Sequence, residues 1–217
     1  MHLRPFRSTD TDHLYDICLR TGDNGRDGSD RCVHPRLCGS CFAAPYAEHD
    51  PSLCLILEDD DGPCGYVLGT ADTRAFAAWF NTVWLPRLRR EFAGLKPRPG
   101  AFDNWMLDLI HEDMEVPGFV DAYPAHLHID LLPRAQGGGW GRRMIHAWAA
   151  LAGARGAPAF HLGVSSANAN AVAFYRHIGL HEIARTEWGY FLGMETPKAG
   201  SDPSGPRGDH GPPPALD

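Results

Sequence analysis

Apolar positions recur along almost the whole chain, but their period changes from stretch to stretch. A period near 3.6 marks a helix, and alternation or a short unbroken apolar run marks a strand. Residues 3–7 read as a first short strand. Thr9 or Asp10 can cap a helix over residues 12–20, with Leu14, Ile17 and Cys18 on one face. Residues 21–36 lose the period and are rich in Gly and Asp, hence a loop, and a short helix follows over residues 37–46. Two β-rich runs, 52–57 and 64–69, are joined by an acidic stretch ending in Asp61-Gly62, a hairpin signal. Residues 72–92 carry Phe76, Trp79, Phe80, Val83 and Trp84 at helical spacing, and Pro86 has to end or restart that helix. A second helical stretch is expected over residues 102–114. Residues 125–132 form an apolar strand that stops at Pro133. A helix then runs from about Gly139 to Gly153, followed by a strand over 159–164. Asn168 caps a helix through His177, with Gly179 as its C-terminal cap. Residues 180–185 and 190–195 close the series as a strand pair. From Lys198 onward Pro, Gly and Asp dominate with almost no apolar content, which predicts a disordered tail after a domain over residues 1–197.

Composition narrows the function classes. The chain has 217 residues, 43% hydrophobic, enough for one domain with a sizeable core. Its net charge of −7 argues against a nucleic-acid partner. No apolar run reaches the ~18 residues of a membrane span, and residues 1–5 lack the apolar core of a secretory signal. The expectation is a cytoplasmic protein without a membrane partner. The six cysteines are too scattered for a disulfide scaffold. Cys32, His34, Cys38 and Cys41 raise the question of zinc, but they include a single CxxC with no second ligand pair at finger spacing. Free thiols in a loop, and no metal, are the reading adopted. Cys54 and Cys64 lie in strand patterns as small buried hydrophobes.

The chemistry concentrates in the turn after the 125–132 strand. Four glycines fall within five positions, Gly137, Gly138, Gly139 and Gly141, and a helix opens inside the run. Glycine permits positive φ and close approach of backbone to a ligand. The orphan amides of the helix start then converge on a small concavity that favours an anion such as phosphate. Spacing excludes two phosphate motifs. No Lys-Ser or Lys-Thr follows the glycines as a P-loop requires, and G-G-G-W-G is not GxGxxG. Gln136, Gly139 and Gly141 instead fit Gln/Arg-x-x-Gly-x-Gly/Ala. Some thirty residues on, Asn168, Ala171, Phe174, Tyr175 and Gly179 fit N-x-x-A-x-x-F-Y-x-x-x-G, with Leu180 in place of an aromatic residue.

These two motifs, in this order, resemble those of the GCN5-related N-acetyltransferases, the GNAT superfamily, over most of residues 1–196. The strings Ala44-Pro45-Tyr46, Leu57-Glu58-Asp59, residues 64–69 and residues 182–184 further resemble the acetyltransferase-like domain at the C-terminus of O-GlcNAcases. The resemblance implies an α/β (α+β) GNAT fold. Its central mixed sheet has about seven mostly antiparallel strands, flanked by helices and splayed between strands 4 and 5. Residues 72–123 depart from the minimal plan as a helical insert before strand 4. It also implies acetyl-CoA as cosubstrate and transfer of acetyl to a primary amine by direct attack in a ternary complex. The alternative is a catalytically silent acetyl-CoA-binding module, with the aromatic insert as a docking face. A homodimer is one such arrangement.

The same resemblance assigns roles. Backbone groups of Leu131 and Leu132 hold the acetyl and pantetheine arm. Amides of Gln136, Gly137, Gly138, Gly139, Trp140, Gly141 and Arg142 hold the pyrophosphate, with added charge from Arg142 or Arg143. Asn168 contacts the pantetheine arm or the acceptor and counts with Tyr175 and Asp130 among the catalytic candidates, Phe174 and Tyr175 border the coenzyme, and Tyr175 is the candidate acid for the departing thiolate. The residues themselves offer three candidate bases. Asp130 is a carboxylate among apolar neighbours, where burial raises a pKa, and His126 and His128 share its face of the strand. Asp103, Asp108, Glu112, Asp113, Glu115 and Asp121 crowd the expected acceptor side. That charge suits an amine, whether a small amine, an aminosugar or a lysine side chain.

Overall fold

The computed structural model describes residues 1–197; the expected disordered tail lies outside them. Seven strands form one sheet in the order β1-β2-β3-β4-β5-β7-β6. They are β1 His2–Pro5, β2 Cys54–Asp59, β3 Gly62–Thr70, β4 Ala125–Leu131, β5 Ala159–Ser165, β6 His181–Arg185 and β7 Gly189–Glu195. Every neighbouring pair is antiparallel except β4 and β5, which run parallel. Those two share only two register pairs, Ala125 with Phe160 and His126 with His161, and then part. The sheet is therefore open in its middle, where all the candidate chemistry lies.

Eight α-helices cover the two faces: α1 Thr11–Thr21, α2 Leu37–Phe42, α3 Ala44–His49, α4 Thr73–Trp79, α5 Leu85–Glu91, α6 Trp105–Leu109, α7 Trp140–Ala154 and α8 Ala169–His177. Helices α1 to α6 pack on one face around Leu14, Ile17, Tyr66, Phe76, Trp84 and Leu88. Helices α7 and α8 pack on the other around Met144, Ile145, Trp148, Phe160 and Leu162. Period-two alternation divides β4 between the cores. Leu127, Ile129 and Leu131 face α7, whereas His126, His128 and Asp130 face α1 and the insert. Gly69 of β3 admits the Trp148 indole, since a Cβ there would stand 2.3 Å from the ring. The indole N–H donates to the Leu53 carbonyl at 2.9 Å. Among the described residues no helix is long and apolar enough to cross a membrane.

Three expectations shift for local reasons. The helix expected over residues 37–46 is two short helices that break at Ala43, because Pro45 has no N–H to continue the ladder. Pro86 restarts its helix from the first turn of α5, but with no gap before it. A π turn, Phe80–Trp84, joins α4 to α5, and its wider winding spares the Thr82 carbonyl the clash with the proline ring. Of residues 102–114 only Trp105–Leu109 is helical. Side chains replace the ladder around it: Asn104 bonds both main-chain groups of Arg98, and Asn81 both those of Met114.

Candidate active site

The glycine loop hangs between a 3-10 turn, Pro133–Ala135, and α7. Gly137 and Gly139 have φ of +78° and +73°, and Gly139 is the N-cap of α7 in the left-handed region. Only glycine takes these values cheaply. The amide of Gln136 closes the 3-10 turn onto the Pro133 carbonyl at 3.2 Å. The amides from Gly137 to Arg142 donate to no acceptor among the described residues. The run of open amides therefore starts one residue later than expected. Gln136 serves it otherwise, its side-chain amide donating to the Leu131 carbonyl at 2.9 Å and tying loop to strand. The Arg143 guanidinium bonds the carbonyls of Gly138 and Gly139 and lies 3.9 Å over the Trp140 ring. Arg142 is exposed and has no carboxylate partner among the described residues. A Cβ on Gly141 would come within 2.8 Å of the Phe174 ring, so glycine here lets α8 close on α7, and Phe174 packs beneath the loop.

Strand β4 supplies the edge of the opening. The Leu132 amide donates to the Cys64 carbonyl at 2.8 Å, and the Leu132 carbonyl accepts from Ala135 at 2.8 Å. Both its main-chain groups are engaged, which leaves Leu132 without the free groups expected of it. Ladder alternation turns the main chain of Leu127, Ile129 and Leu131 away from β3, toward the gap with β5.

On the opposite face of β4 three candidate bases separate. His126 is buried with both ring nitrogens engaged, one with Thr73 Oγ1 at 2.8 Å and one with the Tyr46 hydroxyl at 3.1 Å. Burial pulls its pKa well down, so it is a neutral structural imidazole. His128 and Asp130 form a half-buried pair, Nε2 to Oδ2 at 3.0 Å. Tyr66 donates its hydroxyl to the same carboxylate oxygen at 2.5 Å. Burial alone would lower the His128 pKa, but the Asp130 charge and hydrogen bond outweigh it and raise it to about 10. Beneath the pair Cys18 and Cys38 stand with sulfurs 3.4 Å apart; the bond from Cys38 lowers the Cys18 thiol and raises its own. Burial, then the Asp130 charge, push the Tyr175 hydroxyl up, so it stays protonated, and it has no hydrogen-bond partner among the described residues.

Asn168 caps α8, its Oδ1 accepting from Ala171 N at 3.1 Å. The turn at Gly25 reaches the same side chain, since a Cβ there would stand 3.7 Å from Asn168 Nδ2. The loop after α1 thus bridges the open end of the sheet. The acids expected at the acceptor side do not gather there as a group. Asp103 is fully buried and accepts the Val33 amide, Asp113 pairs with Arg89, and Asp121 pairs with Arg74. Cys32, His34, Cys38 and Cys41 do not assemble as a cluster; all six cysteines are buried free thiols, and Cys38 and Cys41 lie in α2 rather than a loop. The thiol, imidazole and carboxylate that do meet are Cys18, His128 and Asp130, within 4.8 Å of one another, a donor set that zinc accepts. Tyr66 and Cys18 carry no local signal. Each sits in an apolar pattern and reaches Asp130 only through sheet register and helix docking.

Residues 26–180 match the model of the Acetyltransferase (GNAT) family. The chain belongs to this family, and its seven-stranded sheet with one parallel pair is the GNAT fold. Within it, the crystal structure of SsHAT is 41% identical, with a TM-score of 0.82 over 91% of this chain and 98% of that one. Protein O-GlcNAcase of Rattus norvegicus and that of Mus musculus are each 27% identical over 190 residues. That match takes 85% of this chain but spans only 20% of either relative's length. The fold is shared at 14% identity, with a TM-score of 0.54 over 94% of this chain and 98% of that one, by yncA of Salmonella typhimurium, a putative acetyltransferase solved with acetyl-CoA.

Proposed function

We propose that residues 1–197 form an acetyl-CoA-dependent N-acetyltransferase that moves acetyl to a primary amine in a ternary complex. The observation that carries this reading is the run of unengaged amides from Gly137 to Arg142 at the head of α7, beside a sheet that opens next to the His128–Asp130 pair. In this reading the loop amides and Arg142 bind the pyrophosphate, and the free main chain of Ile129 bonds the pantetheine arm as an added strand would. Leu131 N–H faces the gap and stabilises the oxyanion that forms when the amine attacks the thioester carbonyl. The carbon–sulfur bond then breaks. The departing thiolate takes a hydrogen bond, then the proton, from Tyr175, which recovers one from solvent. His128, oriented by Asp130 and backed by Tyr66, accepts the proton released by the attacking amine. Because Asp130 holds a proton on the resting imidazole, that proton has to leave before His128 can act as base.

Acetyl-CoA at a hundredfold its Kd stabilises the fold by about 2.7 kcal/mol, which for a chain of this size raises the Tm by roughly 5–10 °C. Thiol release is then screened over small amines, aminosugars and basic peptides. With a productive amine, Tyr175→Phe lowers the rate by about 10²-fold or more while the acetyl-CoA affinity stays within about threefold. A Tm that acetyl-CoA leaves unmoved removes the proposal. Tight binding with no turnover on any amine moves the assignment to a silent acyl-CoA-binding module.

A further inference from the structure

The acceptor face of the opening is walled by aromatic rings on both sides. His126 of β4 and His161 of β5 have their rings 5.5 Å apart, so His126, His128 and Asp130 share a sheet face with His161 and Gly163. On the β4 side the rings step outward from the base. Phe42, the last residue of α2, stacks on His128 at 5.8 Å and 19°, and Trp105 of the insert meets Phe42 at 5.7 Å. That ladder ends in an indole 53% exposed to solvent. On the β5 side Trp188, from the turn between β6 and β7, lies over Gly163, where a Cβ would stand 2.9 Å from its ring. It is 51% exposed and is braced edge-on by Phe191. Among the described residues these two indoles are the only exposed aromatic side chains of the core type.

A single exposed ring is ordinary, but Trp105 continues a ladder that starts on His128, and Trp188 lies over the strand that parts from β4. We propose that the acceptor is an arylalkylamine: a primary amine whose flat aromatic body lies along Trp105 and Phe42, with Trp188 as the facing wall. This rests on the acetyltransferase reading above. Offset stacking favours a flat ring on such a ladder. The exposed carboxylates of Asp108, one turn from Trp105, and Glu187, beside Trp188, complement an arriving ammonium. An aminosugar would leave its hydroxyls against rings with few bonding groups, and a lysine ammonium would cover one indole by a cation–π contact rather than the length of the ladder.

The test uses the full chain with 2-phenylethylamine, tryptamine, glucosamine and a lysine-containing peptide. The expected result is a kcat/KM at least tenfold higher for the two aromatic amines. Trp105→Ala and Trp188→Ala each raise the KM for tryptamine at least fivefold, leave the KM for acetyl-CoA unchanged, and are rescued by Trp→Phe at the same position. Equilibrium dialysis of tryptamine against the CoA-loaded protein separates the two readings. Binding that Trp105→Ala abolishes, without turnover, keeps the aromatic-amine site but removes the transferase and with it the acceptor role. A preference for glucosamine or the peptide that both variants leave intact removes this proposal and keeps the transferase. Absence of tryptamine binding in either assay overturns it outright.

Discussion

His128 shows how a single residue's ionisation follows from its partners. Its pKa is raised to about 10 because the Asp130 charge and hydrogen bond outweigh burial. A folded pKa above the unfolded value of ~6.5 means that the pair stabilises the fold fully below about pH 6.5. The contribution fades as the pH climbs through about 10. Denaturant unfolding of wild type and His128→Gln is therefore expected to differ most at pH 6 and to converge by pH 10. If His128 is the base, kcat/KM also rises with pH across the alkaline range, and His128→Gln flattens that rise for an acceptor whose own amine titrates lower. His126, two residues away on the same face, has the opposite character, because burial, with no carboxylate beside it to offset that, pulls its pKa well down. Thr73 and Tyr46 engage both nitrogens in a dry core.

At the scale of the element, α8 carries two roles on one residue. Asn168 Oδ1 caps the helix, and its Nδ2 faces the Gly25 turn. The helix ends in a Schellman motif, with Gly179 at φ +104° and the Leu180 amide bonded to the Tyr175 carbonyl at 3.0 Å. Asn168→Asp keeps the cap acceptor and Asn168→Ala loses it, so Ala is expected to cost ~1 kcal/mol and Asp close to nothing. If Asn168 only caps, both variants bind acetyl-CoA as wild type does; a contact through Nδ2 weakens both alike. Thermal unfolding and calorimetry separate the two. Helices α7 and α8 were legible in the sequence to within a residue or two, because glycine and asparagine caps bracket them. The insert was not, because its turns are held by Asn81, Asn104 and Asp103 bonding distant backbone, a pattern with no period.

For the whole molecule, the proposed direct transfer requires that coenzyme and acceptor enter from opposite faces of the opening and occupy it together. Initial rates against both substrates are then expected to give intersecting double-reciprocal lines, and parallel lines would point to an acetyl-enzyme instead. The sequence alone determined whatever is local in cause: strand and helix identities, the hairpin, the glycine loop and the caps. Each follows from backbone sterics and hydrogen bonding within a few residues. The two motifs likewise carried the family resemblance, because their spacing is set by one turn of chain against one ligand group. Tertiary structure alone decided which of the three titratable side chains on β4 pair with each other, which amides the loop leaves open, and which aromatics stack beside His128. Tyr66, Cys18 and Phe42 come from three separate elements, and Trp105 and Trp188 lie more than eighty positions apart in the chain. Their partners are fixed by register and packing, which depend on every element at once.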